Sequence, residues 1–217
     1  MSTRDSILAR IRGALAAARR PQEAAGSVTD AVAWSMAPRL RPAAGSDPVG
    51  RFVAKSRAMA STVEQVPARA DAPAAVRRYL DALALPRVAV IWDELADLPW
   101  AEAGLAVRTG PASGTDPIGI TGAFCALSET GTLVLLGGSA TAATTSLLPE
   151  THIAVVHASR IVRGMEEGFA LVRAERGCLP RAVNFVSGPS RTGDIEQTIV
   201  LGAHGPCRVH IIVVDGA

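Results

Sequence analysis

From Ser190 to Glu196, seven residues bring together two hydroxyls, one guanidinium and two carboxylates: Ser190, Arg191, Thr192, Asp194 and Glu196. Such a set suits a small anion. Arg191 can grip a carboxylate or phosphate through two parallel hydrogen bonds, and Ser190 and Thr192 can add to them. A second reading stands beside it, in which Arg191 pairs with Asp194 or Glu196 and ties the loop down. Two further residues invite chemistry. Glu129, in Ser128-Glu129-Thr130-Gly131, is a carboxylate in a tight turn, and His204 opens His204-Gly205-Pro206 with a side chain whose ordinary pKa lies near neutrality.

The elements around these residues read as α/β. Val183–Val186 is a short apolar strand that Gly188 and Pro189 stop, since Pro lacks the N–H a ladder needs. In an open parallel sheet a loop after such a strand lies at the carboxyl edge, where ligands bind. Val88–Trp92, Ile118–Leu127, Thr132–Leu136, Ile153–Val156 and Val209–Val214 are further apolar strands, with shorter ones at Thr62–Val66, Leu105–Val107 and Thr198–Leu201. Helical stripes run through Val49–Val63, Val76–Leu83 and Gly164–Arg176, with Asp71 as an N-cap and Pro73 in a first turn. Strands without polar alternation, separated by helices, predict a largely parallel sheet covered on both faces. The turn at Ser128–Gly131 is spaced to close a hairpin. The small, polar run Gly137–Ser146 can line a ligand pocket or form a flexible loop, and it carries neither a P-loop nor a G-x-G-x-x-G fingerprint.

Residues 2–18 have apolar positions Ile7, Leu8, Ile11 and Leu15 at helical spacing, followed by an Ala- and Pro-rich stretch. This gives an arm over residues 1–46 and a main domain over 47–217. The arm helix suits docking on a partner, on the main domain or on a second copy, or it is a frayed terminus. Composition excludes several classes. Hydrophobic residues make up 48% without a run long enough to cross a bilayer. No secretory signal precedes the domain, so a cytoplasmic location is expected. The formal net charge is +2, aromatics are 4% and no basic cluster is interleaved with aromatics, which argues against nucleic acid. Cys125, Cys178 and Cys207 are too few and too dispersed to hold an iron–sulfur cluster. His152 and His157 fall on opposite faces of a strand and read as structural rather than metal-binding.

Together, Gly119-Ile120-Thr121-Gly122, Ser128-Glu129-Thr130-Gly131-Thr132-Leu133-Val134, Ser146-Leu147-Leu148-Pro149, Gly188-Pro189-Ser190-Arg191-Thr192 with Asp194-Ile195-Glu196, and His204-Gly205-Pro206 give a pattern that resembles the lactate utilization protein C family of LUD-domain proteins. The resemblance implies a three-layer Rossmann-like sheet with helices on both faces, similar to the sugar-phosphate isomerase and coenzyme A transferase group. It implies a subunit of a system that oxidises L-lactate to pyruvate, acting beside iron–sulfur partner proteins that supply the clusters this chain lacks. Arg191, with Ser190, Thr192, Asp194 and Glu196 around it, is then the site for a small carboxylate, and His204 a candidate to take the hydroxyl proton or a turn residue. The Ser128–Gly131 stretch is also similar to the Ser-Glu-Asn-Gly of coenzyme A transferases, with Thr130 in place of Asn. That makes Glu129 an alternative acyl-accepting nucleophile, or else a hairpin carboxylate bonding the backbone or Arg191. A non-catalytic, ligand-sensing scaffold is the third reading. Association with further copies of the chain stays open.

Overall fold

Strands with few polar positions must be covered on both faces, and three such strands form the centre of this protein. The computed structural model describes residues 3–18, 46–192, 200–202 and 204–216. The chain divides into two compact units, Met1–Ala43 and Ala44–Ala217. In the first, helix α1 spans Thr3–Ala18 and exposes Ile7 and Leu8.

In the second unit, helix α2 (Pro48–Ala58) starts where the Asp47 carboxylate accepts the Gly50 N–H at 2.8 Å, with Pro48 fixing the first-turn dihedral. It leads to strand β1 (Thr62–Val66), helix α3 (Ala72–Ala82), β2 (Val88–Ile91), β3 (Ala106–Thr109) and β4 (Ile118–Gly122). There follow β5 (Cys125–Leu127), β6 (Thr132–Leu136), the short helix α4 (Thr144–Leu147), β7 (Thr151–His157) and β8 (Ile161–Val162). Helix α5 (Met165–Arg176), β9 (Val183–Val186), β10 (Arg191–Thr192), β11 (Val200–Leu201) and β12 (Arg208–Val214) complete the order.

Six strands make one parallel sheet in the order β1-β12-β7-β4-β2-β3. Helix α3 covers one face: Ala72, Ala75, Val76 and Leu80 recur at helical spacing and pack on Ile91, Ile120, Ile153, Val155 and Ile212. Burying Leu80 alone stabilises by about 1.5–3 kcal/mol. The other face carries α2, through Phe52, and a second sheet of four strands in the order β8-β5-β6-β9. Ala126, Leu133 and Leu135 of that small sheet pack on Ala154, Val156, Ile211 and Val213 of the large one, and α5 closes its outer face through Val172. The architecture is thus α/β and Rossmann-like, with a helix on each face of the parallel sheet and the small sheet beside α2.

Some boundaries depart from the sequence reading. The apolar run Ile118–Leu127 is two strands in two sheets: after Gly122 the chain turns out, Ala123 bonds Val155 and Phe124 bonds Val134, and β5 begins. The hairpin across Ser128–Gly131 does form, with Leu127 opposite Thr132. Asp71 sits at the start of α3, but its carboxylate accepts the Ala68 N–H at 3.1 Å instead of capping the helix. Of the strand expected over Thr198–Leu201, residues 198–199 lie outside those described. Among the described residues no helix is long and apolar enough to cross a membrane.

Two histidines are locked inside this frame. His152 is fully buried, its Nε2 2.8 Å from the Thr121 hydroxyl, and burial pushes its pKa down to about 4. His210 stacks on Tyr79 at 4.0 Å, meets the Thr62 hydroxyl at 2.8 Å, and is likewise pushed down to about 4 by burial. Both are neutral in the fold, whereas the unfolded chain protonates them below about pH 6.5. Stability is therefore expected to fall as pH drops from about 6.5 toward 4, by up to roughly 3 kcal/mol per histidine at about 1.4 kcal/mol per unit. Urea midpoints measured across this range should fall less steeply for His152→Gln than for the wild type, whatever their values at neutral pH.

Candidate functional site

A parallel sheet aligns the carboxyl ends of its strands, so the residues just past those ends converge. Three strands here run straight into one-turn 3-10 helices: Arg69–Asp71 after β1, Asp93–Leu95 after β2 and Ala158–Arg160 after β7. Each presents a charged residue, Arg69, Glu94 or Arg160, three positions beyond its strand. Between them lies a cleft made of two adjoining hollows, of about 330 and 470 Å³, which share Glu94, Ala123, Phe124 and Arg176.

The first hollow is lined by three guanidiniums and two carboxylates. Arg69 makes a two-pronged pair with Asp97, at 2.7 and 2.9 Å, and also donates to the Glu94 carbonyl. Arg160 donates to the Phe124 carbonyl at 2.8 Å and pairs with both oxygens of Glu175, one at 3.0 Å. Its guanidinium lies 4.6 Å from the centre of the Phe124 ring, and that of Arg176 lies 5.9 Å from the same ring. Among the described residues no hydrogen-bond acceptor engages Arg176. His157, the last residue of β7, lines the hollow with its Nδ1 3.3 Å from the Gly216 carbonyl. Glu94 as a residue is exposed, but its carboxyl is sunk against Gly122, where a Cβ would lie 1.8 Å from Oε1. This burial raises its pKa, against the pull of Arg69 and Arg176.

The second hollow is walled by Trp92, Leu136, Pro180 and the run Gly137–Thr141, with exposed Cys178 at its lining. The run is fixed: Thr141 Oγ1 donates to the Leu136 carbonyl at 2.8 Å, and Trp92 Nε1 holds the Ala142 carbonyl at 3.0 Å.

The residues singled out from the sequence lie elsewhere. β9 is an edge strand of the small sheet, so the loop after it does not lie at the carboxyl edge of the parallel sheet, and that expectation is corrected. Gly188, at φ +79°, abuts the Met59 carbonyl; Ser190 bonds the Pro206 carbonyl at 2.8 Å; and Gly205 faces Ser190 and Leu147. Met59, Leu147 and Pro206 all precede strands of the large sheet, so this loop lies at the amino edge. Arg191 is exposed and donates to the Met59 carbonyl at 3.1 Å, just past the end of α2. Thr192 pairs with Val200 across β10 and β11. Asp194 and Glu196 lie outside the described residues. His204 is exposed in the turn before β12. Glu129 is half-buried in its hairpin, with Oε2 beside Gly164 at the start of α5. Neither Glu129 nor the residues Ser190, Arg191, Thr192 and His204 line the cleft. Among the described residues no three His, Cys, Asp or Glu gather as metal ligands. In the sequence Arg69, Glu94, Phe124, Arg160 and Arg176 belong to no motif, and His157 reads as structural. The available signal was a charge set three residues past an apolar strand, repeated at three strands.

Residues 114–214 match the family model of the LUD domain. Proteins named lactate utilization protein C are similar to part of the chain: that of Geobacillus sp. (strain WCH70) is 42% identical over 100 residues, covering 45% of this chain and 42% of the relative. That of Bacillus subtilis (strain 168) is 38% identical over 101 residues, covering 45% and 42%. That of Exiguobacterium sp. is 38% identical over 126 residues, covering 57% and 51%. The chain spans about half the length of the curated relatives it matches. A crystal structure of a DUF162 family protein from Deinococcus radiodurans is similar with a TM-score of 0.61 and 28% identity, covering 80% of this chain and 99% of that one.

The two edges predict separable effects. Arg191→Ala should lower the thermal midpoint by removing the tie to Met59, and Gly188→Ala should lower it further, because φ +79° opposes a Cβ and the added Cβ would lie 2.1 Å from the Met59 carbonyl oxygen. A loss of about 1 kcal/mol or more for Gly188→Ala follows from the dihedral alone. Thermal melts of the two variants beside Arg176→Ala, which touches no ladder, check this order.

Proposed function

We propose that this LUD-domain chain serves in L-lactate utilization, as a subunit of a system that oxidises lactate to pyruvate beside iron–sulfur partner proteins, and that its carboxyl-edge cleft holds the carboxylate. The observation that carries the reading is the similarity of the chain to proteins named lactate utilization protein C, beside the LUD-domain match of residues 114–214. The cleft supplies what the chemistry requires. Arg176 offers a guanidinium that no described acceptor hydrogen-bonds, while Arg69 and Arg160 are held and neutralised by Asp97 and Glu175. A carboxylate at Arg176 brings its hydroxyl into the half of the cleft lined by Glu94 and His157. Either can take the hydroxyl proton, and the raised pKa of Glu94 brings that carboxyl closer to the working range of a general base. The Cα–H bond breaks in the same oxidation: its hydrogen leaves as a second proton to the other of these two groups, and the two electrons pass to an acceptor on an iron–sulfur partner.

In this reading the cleft, rather than Ser190, Arg191 and Thr192 with His204, is the carboxylate site, because Arg191 already serves the end of α2. The amino-edge loop then acts as a clasp between α2, β10 and the turn before β12.

A strain lacking this chain should fail to grow on L-lactate as sole carbon source. Wild type and Arg191→Ala should restore growth, and Arg176→Ala should not. Normal growth of the deleted strain, with no second copy present, would remove the lactate assignment. A hydroxylamine-sensitive adduct at Glu129 on exposure to an acyl-coenzyme A, lost in Glu129→Gln, would favour the transferase reading instead.

A further inference from the structure

Lactate has six non-hydrogen atoms and needs on the order of 100 Å³, about three waters' share of liquid volume. Either hollow of the cleft is several times larger. The two also differ in kind. One is lined by Arg69, Glu94, His157, Arg160 and Arg176, and the other by Trp92, Leu136, Pro180 and a run of small residues. Cofactor and substrate sites pair mostly apolar walls with a few placed polar groups in this way.

We propose that the two hollows form one site for a two-part ligand: a flat ring system under the Gly137–Thr141 run, joined to a single phosphate or carboxylate bound by Arg176. This deepens the cleft reading above and rests on it. The apolar half is preformed. The bonds from Thr141 to Leu136 and from Trp92 to Ala142 fix the run at both ends, and Gly137, Gly138, Ser139 and Ala140 leave the space beneath it unfilled. Trp92 is 3% exposed and offers part of its ring as a wall. Arg176 stands on the border between the halves and lines both, so a group fixed there is fused to whatever lies on either side. Arg69 and Arg160 are neutralised by Asp97 and Glu175, which leaves room for one strong anionic contact at the border rather than a polyphosphate.

Cys178 allows a direct reading, because it is exposed and lines the apolar half, whereas the Cys125 thiol is buried and its pKa is pushed up to about 11. In the full chain carrying Cys207→Ser, the rate of Cys178 modification by a maleimide is measured with three ring anions and their uncharged counterparts. The pairs are flavin mononucleotide and riboflavin, adenosine monophosphate and adenosine, and 2-naphthoate and 2-naphthamide. At least one ring anion should slow modification tenfold or more at saturation, and its uncharged counterpart should need at least tenfold higher concentration. Arg176→Ala should bring the two together, and Ala140→Trp, which fills the apolar half from an exposed position, should remove protection by both. A phosphate pair and the carboxylate pair separate the two sources of the anion. L-lactate is titrated calorimetrically on the same protein. Lactate binding without protection by any ring anion overturns this inference and leaves the lactate reading standing; protection by a ring anion without lactate binding does the reverse. Equal protection by charged and uncharged partners also overturns it.

Discussion

The departure of the chain from one sheet into another at Gly122 is the constraint on which the rest of the domain depends. β4 is buried along its length in the parallel sheet, and within three residues the chain has entered β5 of the small sheet. The step is anchored by backbone bonds to both sheets, Ala123 to Val155 and Phe124 to Val134. It sets the small sheet against the large one, so that Ala126 and Leu133 meet Ala154 and Val156. It also opens the space at the carboxyl edge: Phe124 is carried outward as a platform for two guanidiniums, and the absent side chain of Gly122 leaves a seat for the Glu94 carboxyl. Glycine at this point is a matter of room, since any Cβ would drive Glu94 out of the cleft.

The two edges of the parallel sheet have different work. At the amino edge the matched segments Ser146–Pro149, Gly188–Thr192 and His204–Pro206 come together through Ser190, Gly205 and Leu147, and they knit α2, α4 and β12 into one corner. At the carboxyl edge charged side chains gather from turns that share no motif. A dense family pattern can therefore mark a corner that must pack tightly, while an open cleft lies about a strand's length away.

The sequence carried much of the fold in readable form. β4, β7 and β12 are buried almost throughout and mostly apolar because both faces are covered, and α3 shows its stripe because only one face is. Periodicity reports burial, though, and not which neighbour does the burying. Val183–Val186 was legible as a strand, but nothing in four residues says that it borders the small sheet, and its loop was accordingly assigned to the wrong edge. The run Ile118–Leu127 looked single because Gly122, Ala123 and Phe124 interrupt neither its hydrophobicity nor its length. His157 reads as structural from its strand, and its place beside the cleft depends on where that strand stops. Arg69, Glu94, Arg160 and Arg176 come from four separate stretches of chain, and only the alignment of strand ends brings them together.

The position of β12 has a consequence for how the protein is made. This strand lies between β1 and β7, pairing with both along their lengths, although β1 begins some 150 residues before it. During synthesis, therefore, β1 and later β7 emerge with their facing edges unpaired, and the hydrogen-bond ladder at the centre cannot close until residue 214 has left the ribosome. Contacts so distant in sequence fold slowly. A nascent chain of this topology carries the open edge of β1 through most of its synthesis, and that of β7 from its emergence until β12 arrives, and its yield in the cell depends on how quickly β12 is delivered between them.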